Sequence, residues 1–420
     1  MIKRYTIRCL TCDQNHTLRI TLGTEATQHH TFTCPKCGEY IRVALDLDFI
    51  NRESYEVGLE EPLSYPTAHF KAVDNCTLSD QEGLITNLDP TFLVPDKLLH
   101  EDKVFPWMYS AHPIVSEKGI LDKHDIDELK RPIVLDVIDS LGIPRFLATV
   151  MEAFCKGWRL YRRGQSELLS QQLDLINNYT AIQISDVFDA AILVSSGFIG
   201  KQSEPVVRQI IEEVRDIRNL NISKYNDFCV FALSRDFFND AIDRQVDVMN
   251  EYLRGFDQFN QTLIYASHGK TPEISFTASS HDLSRVRLFY GEAFEQLATA
   301  LLWPACLNNL KSGRSFDAFK TMTLKEYQSI NKARRHEPFT DNKVLSTLAD
   351  EFDSTIRNAS HHGNIRLSKE SKHVIEYRSG DTNNWKRMSY SEYLLKSNRI
   401  QISLMRLLIL QIFIFQDHNQ

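Results

Sequence analysis

Basic charge is the first thing this chain lacks. Its 420 residues carry 48 Lys and Arg against 55 Asp and Glu, a net charge of −7. No global basic field holds nucleic acid, so any contact with RNA or DNA must come from a local patch or a dimer groove. The N-terminus, MIKRYTIRCL, has no apolar signal-peptide core. The longest apolar run, ISLMRLLILQIFIF at 402–415, is too short to span a bilayer, and Arg406 interrupts it. These absences predict a cytoplasmic protein without a membrane partner, ending in a buried helix. Internal repeats and low-complexity tracts are also missing, which leaves an ordinary globular chain. At 42% apolar and 25% charged residues it fits that class, and its length predicts two or three domains.

The eight cysteines divide into two sets. Cys76, Cys155, Cys229 and Cys306 are scattered singly and read as small core residues in a reducing compartment. Cys9-Leu-Thr-Cys12 and Cys34-Pro-Lys-Cys37 form two C-x-x-C knuckles, whose four thiolates can close a tetrahedral zinc site. Gly38 suits the tight turn after the second knuckle, and the intervening HTLRITLGTEATQHHTFT alternates as a hairpin would. The set resembles a zinc ribbon over 1–50, with structural Zn2+. His16, His29 or His30 could replace one thiolate as ligand. Without a basic aromatic face, the ribbon reads as a structural or docking element rather than a nucleic-acid reader.

Beyond it, prolines in EEPLSYP, NLDPTFLVPDK and VFPWMYSAHP predict an irregular connector over 51–115. From 116 the apolar residues recur at three- and four-residue steps, predicting a helical middle domain to about 270 with a regulatory or sensor role. Ser203 and Pro205 mark a helix start. WRLYRRG at 158–164 could clamp RNA, or could be a solvated helix flank with its aromatics packed inward. A polar stretch at 266–282 marks the boundary of a C-terminal helical domain over 271–420. The fold class expected is mainly α, with a small N-terminal β ribbon and, near the C-terminus, a short hairpin before the last helix.

One stretch of that domain carries chemistry. On a helix over 341–363, Leu345, Leu348, Phe352, Ile356 and Ala359 share a buried face, with Thr340 or Asp341 as cap and Gly363 as terminator. Arg357 and His361 then lie together on the exposed side, and Asn358 and His362 share a flank. Arginine holds phosphate in a fixed charged fork, and histidine moves protons near neutral pH. RNA carries its own nucleophile in the 2′-OH, so such a site could cut it without a metal. Bare Arg–His spacing says little in a chain with 14 histidines, and Arg366 with His373 fits loosely too. The context is more specific: IRNASHHG closes an amphipathic helix and ends at glycine.

Arg357-Asn358-Ala359-Ser360-His361-His362-Gly363 resembles the R-N-x-x-x-H motif of HEPN domains, small helical ribonucleases and nucleotide-binding proteins. The resemblance covers about the last 140 residues, including a hairpin and long terminal helix. It implies Arg357 and His362 as catalytic residues and Asn358 as an assistant. It also implies a homodimer that brings two motifs into one metal-independent RNA-cleaving site, in a toxin or antiviral abortive-infection effector controlled by a regulatory protein partner. Helix geometry favours His361 beside Arg357, whereas the family spacing favours His362. Two other readings compete: a non-catalytic nucleotide- or partner-binding protein, and a helical scaffold with incidental surface histidines.

Overall fold

Alternating apolar residues and two cysteine turns shape the N-terminal unit. The computed structural model describes residues 2–22, 27–48, 67–88, 147–179, 183–200, 203–271, 278, 281–371, 373–380 and 384–419. Strand β1 (Ile2–Cys9) pairs antiparallel with β2 (Asn15–Thr21), and β3 (Thr27–Thr33) with β4 (Tyr40–Asp48). The hairpin expected between the knuckles does not form. Each C-x-x-C loop is itself a hairpin turn, which sends β2 and β3 into different sheets.

The connector expected over 51–115 contains further strands. β5 (Thr67–Asp74) adds to β4, while β6 (Cys76–Leu78) and β7 (Leu84–Leu88) flank the first sheet in the order β6-β1-β2-β7. The ribbon therefore extends well past residue 50. A 1–50 unit would leave the outer edges of β1, β2 and β4 unpaired. Ile7, Leu18, Ile20, Ile41, Val43 and Leu45 fill its small core. The rest of the expected connector and the helical pattern at 116–146 lie outside the described residues.

The remainder is helical. In order come α1 (Leu147–Arg162), α2 (Ser166–Tyr179), α3 (Val187–Ile199), α4 (Glu204–Leu220), α5 (Ile222–Ala232), α6 (Arg235–Arg254) and α7 (Phe256–Ser267). They are followed by α8 (Leu283–Ala300), α9 (Leu302–Lys311), α10 (Leu324–Ser329), α11 (Ser354–His361) and α12 (Tyr390–His418). α12 is long and apolar enough to cross a membrane, yet most of its apolar stretch is buried against α3, α7 and α8. Its polar side chains find partners there. Asn398 donates to the Phe259 carbonyl at 2.7 Å, and Gln245 donates to Gln411 at 2.6 Å. Arg406 reaches the Thr347 carbonyl at 3.4 Å and Asp350 at 3.8 Å.

One continuous core runs from Leu147 to Ile414. The boundary expected at 266–282 thus does not divide 116–270 from 271–420 into separate cores, because the last helix fills the space between helices of the middle region. The ribbon docks on this body through Thr31, whose hydroxyl donates to Asp257 at 2.9 Å, and through Arg42, 3.4 Å from Asp282.

The single helix expected over 341–363 is broken. A 3₁₀ turn at Leu345–Ala349 precedes α11, which starts only where Asp353 accepts from the Thr355 and Ile356 amides. Asp353 takes the capping role expected of Thr340 or Asp341, and Asn342 caps the 3₁₀ turn instead. The apolar stripe survives the break, with Leu345, Leu348, Ile356 and Ala359 all buried. Gly363 ends the segment at φ +68°, the left-handed position for which glycine is suited. The expected hairpin gains a strand: β8 (Ile365–Leu367), β9 (Val374–Tyr377) and β10 (Lys386–Ser389) form a sheet in the order β10-β9-β8.

Candidate functional site

The two knuckles are built alike. In each, a backbone amide four residues on donates to the first cysteine's carbonyl: Asp13 to Cys9 and Gly38 to Cys34, both at 2.9 Å. Both closing residues are left-handed, Asp13 at φ +57° and Gly38 at φ +81°. This turn aims the four sulfurs at one point. Cys9 and Cys37 stand 3.8 Å apart and Cys12 and Cys34 3.7 Å, with all four ligand atoms within 4.8 Å of one another. A tetrahedron with metal–sulfur bonds of about 2.3 Å has edges of about 3.8 Å, so this donor set fits a tetrahedral soft-metal site. His29 and His30 stay out of the cluster. His16 lies beside it, its Nε2 3.5 Å from Cys34 Sγ, where a hydrogen bond to a thiolate would steady the ligand.

A second cluster forms where α11 crosses α8. Gly291 and Glu295 are one turn apart on α8, and they face His361 and Arg357, one turn apart on α11. The His361 ring lies against the bare Gly291 backbone, where a Cβ would come within 3.2 Å of it. Arg357 Nε donates to Glu295 Oε1 at 2.5 Å, and His361 Nε2 stands 3.9 Å from the same oxygen. Lys332, from the 3₁₀ turn Lys332–Arg334, pairs with Oε2 of that carboxylate. Burial raises the Glu295 pKa, but hydrogen bonds from Lys332 and Arg357 outweigh it and hold the carboxyl below its ordinary value.

Asn358 supports the cluster. Its Oδ1 accepts from Arg357 Nη1 at 2.8 Å, and its Nδ2 donates to Ser379 Oγ at 3.5 Å. His362 is exposed on the turn that ends α11, its amide bonded to the Asn358 carbonyl at 3.0 Å. Of the two histidines, His361 is the one that joins Arg357. Arg366 and His373, the looser pair, fall on and beside the small sheet.

His361, Glu295 and Lys332 are among the residues lining an open groove of about 460 Å³ between α1, α6 and α8. Its walls mix charges: Arg159, Arg244 and Arg254 against Asp247, Glu251 and Glu292. Burial and the nearby Glu251 raise the Glu292 pKa. In the WRLYRRG stretch only the tryptophan packs fully inward, and Tyr161 stays about 40% exposed. Trp158 is buried and donates from Nε1 to Asp243 at 2.6 Å, while Tyr161 packs edge-on to Phe188.

No motif or local spacing in the sequence marks Glu295, Lys332 or the α6 arginines, since they come from separate segments that only the fold brings together. Among family models, curated proteins and solved structures, nothing matches this chain.

Proposed function

We propose that the protein is a metal-independent endoribonuclease with a HEPN-like C-terminal region, acting as a toxin or abortive-infection effector. The observation that carries this reading is the convergence of Arg357, His361 and Lys332 on one carboxylate that lines a groove with further arginines. An always-charged fork, a proton carrier and an ammonium are the groups that 2′-OH attack on a phosphodiester requires. His361 takes the proton from the attacking 2′-OH and returns it to the leaving 5′-oxygen, and Arg357 and Lys332 neutralise the phosphorane. The products are a 2′,3′-cyclic phosphate and a 5′-OH. In this reading His362, exposed on the adjoining turn, serves the site of a second copy in a homodimer. Zn2+ fills the Cys9, Cys12, Cys34, Cys37 cluster and stabilises the ribbon without entering the chemistry.

One observation favours the non-catalytic alternative. Glu295 already occupies both Arg357 and Lys332, as it would in a rigid element that binds a nucleotide or partner without cutting. The test compares wild type, Arg357→Ala, His361→Ala and His362→Ala on total RNA in Mg2+-free buffer with EDTA, mapping fragment ends. Each lost proton transfer is expected to cost about 10²- to 10⁴-fold in rate. Cleavage by wild type alone, with cyclic-phosphate ends, supports the ribonuclease. Activity that survives Arg357→Ala and both histidine substitutions sinks it.

A further inference from the structure

The outer face of the β8–β9–β10 sheet gathers a chemistry that the cleavage site does not use. Arg366, Glu376 and Arg387 stand in one cross-strand row. Just beyond the ends of β9 and β10 come Arg378 and Trp385. The Arg366 guanidinium lies over the Trp385 ring at 4.1 Å, and that of Arg378 at 4.8 Å. Glu376 is held between Arg366 at 3.1 Å and Arg387 at 2.8 Å, and Glu370 is taken by Arg387 at 3.1 Å. Arg366 and Arg387 remain about half exposed, at 52% and 55%, and Lys386 is exposed at the edge. In a chain of net charge −7, this is a local surface of guanidinium planes and an indole.

We propose that this sheet face binds single-stranded RNA and feeds it towards α11. Bases stack on aromatic rings and on guanidinium planes, and arginines track the phosphates between them. The surface is continuous with the motif: the Arg378 amide donates to the Asn364 carbonyl at 3.0 Å, and its neighbour Ser379 accepts from Asn358. Stacking reads no 2′-OH, so the sheet takes any flexible single strand. The choice of RNA as its natural ligand rests on the ribonuclease reading, while the binding itself does not.

The experiment is fluorescence anisotropy with a labelled 2′-O-methyl RNA oligonucleotide, which lacks the nucleophile and cannot be cut, and with the same strand as a duplex. Full-length wild type, Trp385→Ala, Trp385→Phe and Arg366→Ala/Arg378→Ala are compared. Wild type should prefer the single strand. Trp385→Ala should weaken binding by about 10- to 100-fold, the loss of one base–aromatic stack, and Trp385→Phe should restore most of it. The double arginine variant should lower the log–log salt slope by about 0.7 for each phosphate it no longer neutralises. Trp385→Ala or the double variant binding as wild type does would overturn the proposal, as would equal binding of the duplex or preference for a poly-glutamate peptide over the oligonucleotide. Trp385-dependent binding without RNA cleavage would leave this proposal standing and remove the ribonuclease. Arg357-dependent cleavage unaffected by Trp385→Ala would do the reverse.

Discussion

The ribbon and the helical body solve the same stability problem by different means. The ribbon's strands enclose a small core of Ile7, Leu18, Ile41 and their neighbours, and its two sheets meet at four cysteines. A core of that size needs a staple, and metal binding to four thiolates supplies folding free energy directly. The helical body has no such cluster among its described residues and needs none. Trp158, Trp303, Tyr252 and Phe259 are fully buried in one core closed by α12. Where a core is large, buried polar groups such as Asn398 can be accommodated by hydrogen bonds. Where it is small, chemistry outside the hydrophobic effect must hold the chain together.

The largest expected effect tests the staple. Structural zinc contributes on the order of 10 kcal/mol or more, so Cys34→Ala or exhaustive chelation should unfold the ribbon. Helical circular dichroism should persist, and limited proteolysis should cut within residues 1–88 while sparing the helical body. Loss of both units together would show that the body depends on the ribbon, and would break the comparison.

The next effect tests the single core. Trp303→Ala removes a fully buried ring and should cost about 3–5 kcal/mol. With one core, calorimetry should show the regions before and after residues 266–282 melting together at a lower temperature. Two separate helical transitions would restore a domain boundary there.

The smallest effect is a pH dependence confined to the ribbon. His30 is buried, with Gln28 2.8 Å from its Nε2. Burial, helped by the charge of His29, lowers its pKa from 6.5 to about 3. The unfolded chain therefore binds the extra proton first, between those values. Ribbon stability should be unaffected above pH 6.5 and fall as pH drops towards 3, by at most about 1.4 kcal/mol per pH unit. His30→Gln should make that slope shallower, leaving the part that His16, Asp46 and the thiolates cause. Chemical unfolding at pH 7.5 and 5.5 reads the difference, and equal slopes in the two proteins would refute the assignment.

The four-cysteine cluster was legible in the chain because each knuckle is local. Two C-x-x-C loops place their sulfurs by backbone geometry alone, whichever strands surround them. The helices were legible for a similar reason, since apolar spacing at three and four residues reports burial along one element. The ribbon's outer strands were not, because prolines and polar residues near 67–88 conceal edge pairing that depends on β1, β2 and β4 being in place. The break in 341–363 was hidden as well: Asp353 wins the capping contest only by its position in the folded turn.

By itself, then, the sequence determined the four-thiolate centre, the mainly helical body, the buried terminal helix and the Arg357–His361 pairing on one helical face. Each is announced by a pattern within one short segment or a pair of them: two C-x-x-C loops, or apolar spacing along a helix. Tertiary structure alone decided that a single core spans the helical body, that Glu295 and Lys332 meet Arg357, and that Arg366, Arg378 and Trp385 share a surface. Those groups are brought together by packing between distant segments, and no period along the chain encodes which faces will meet.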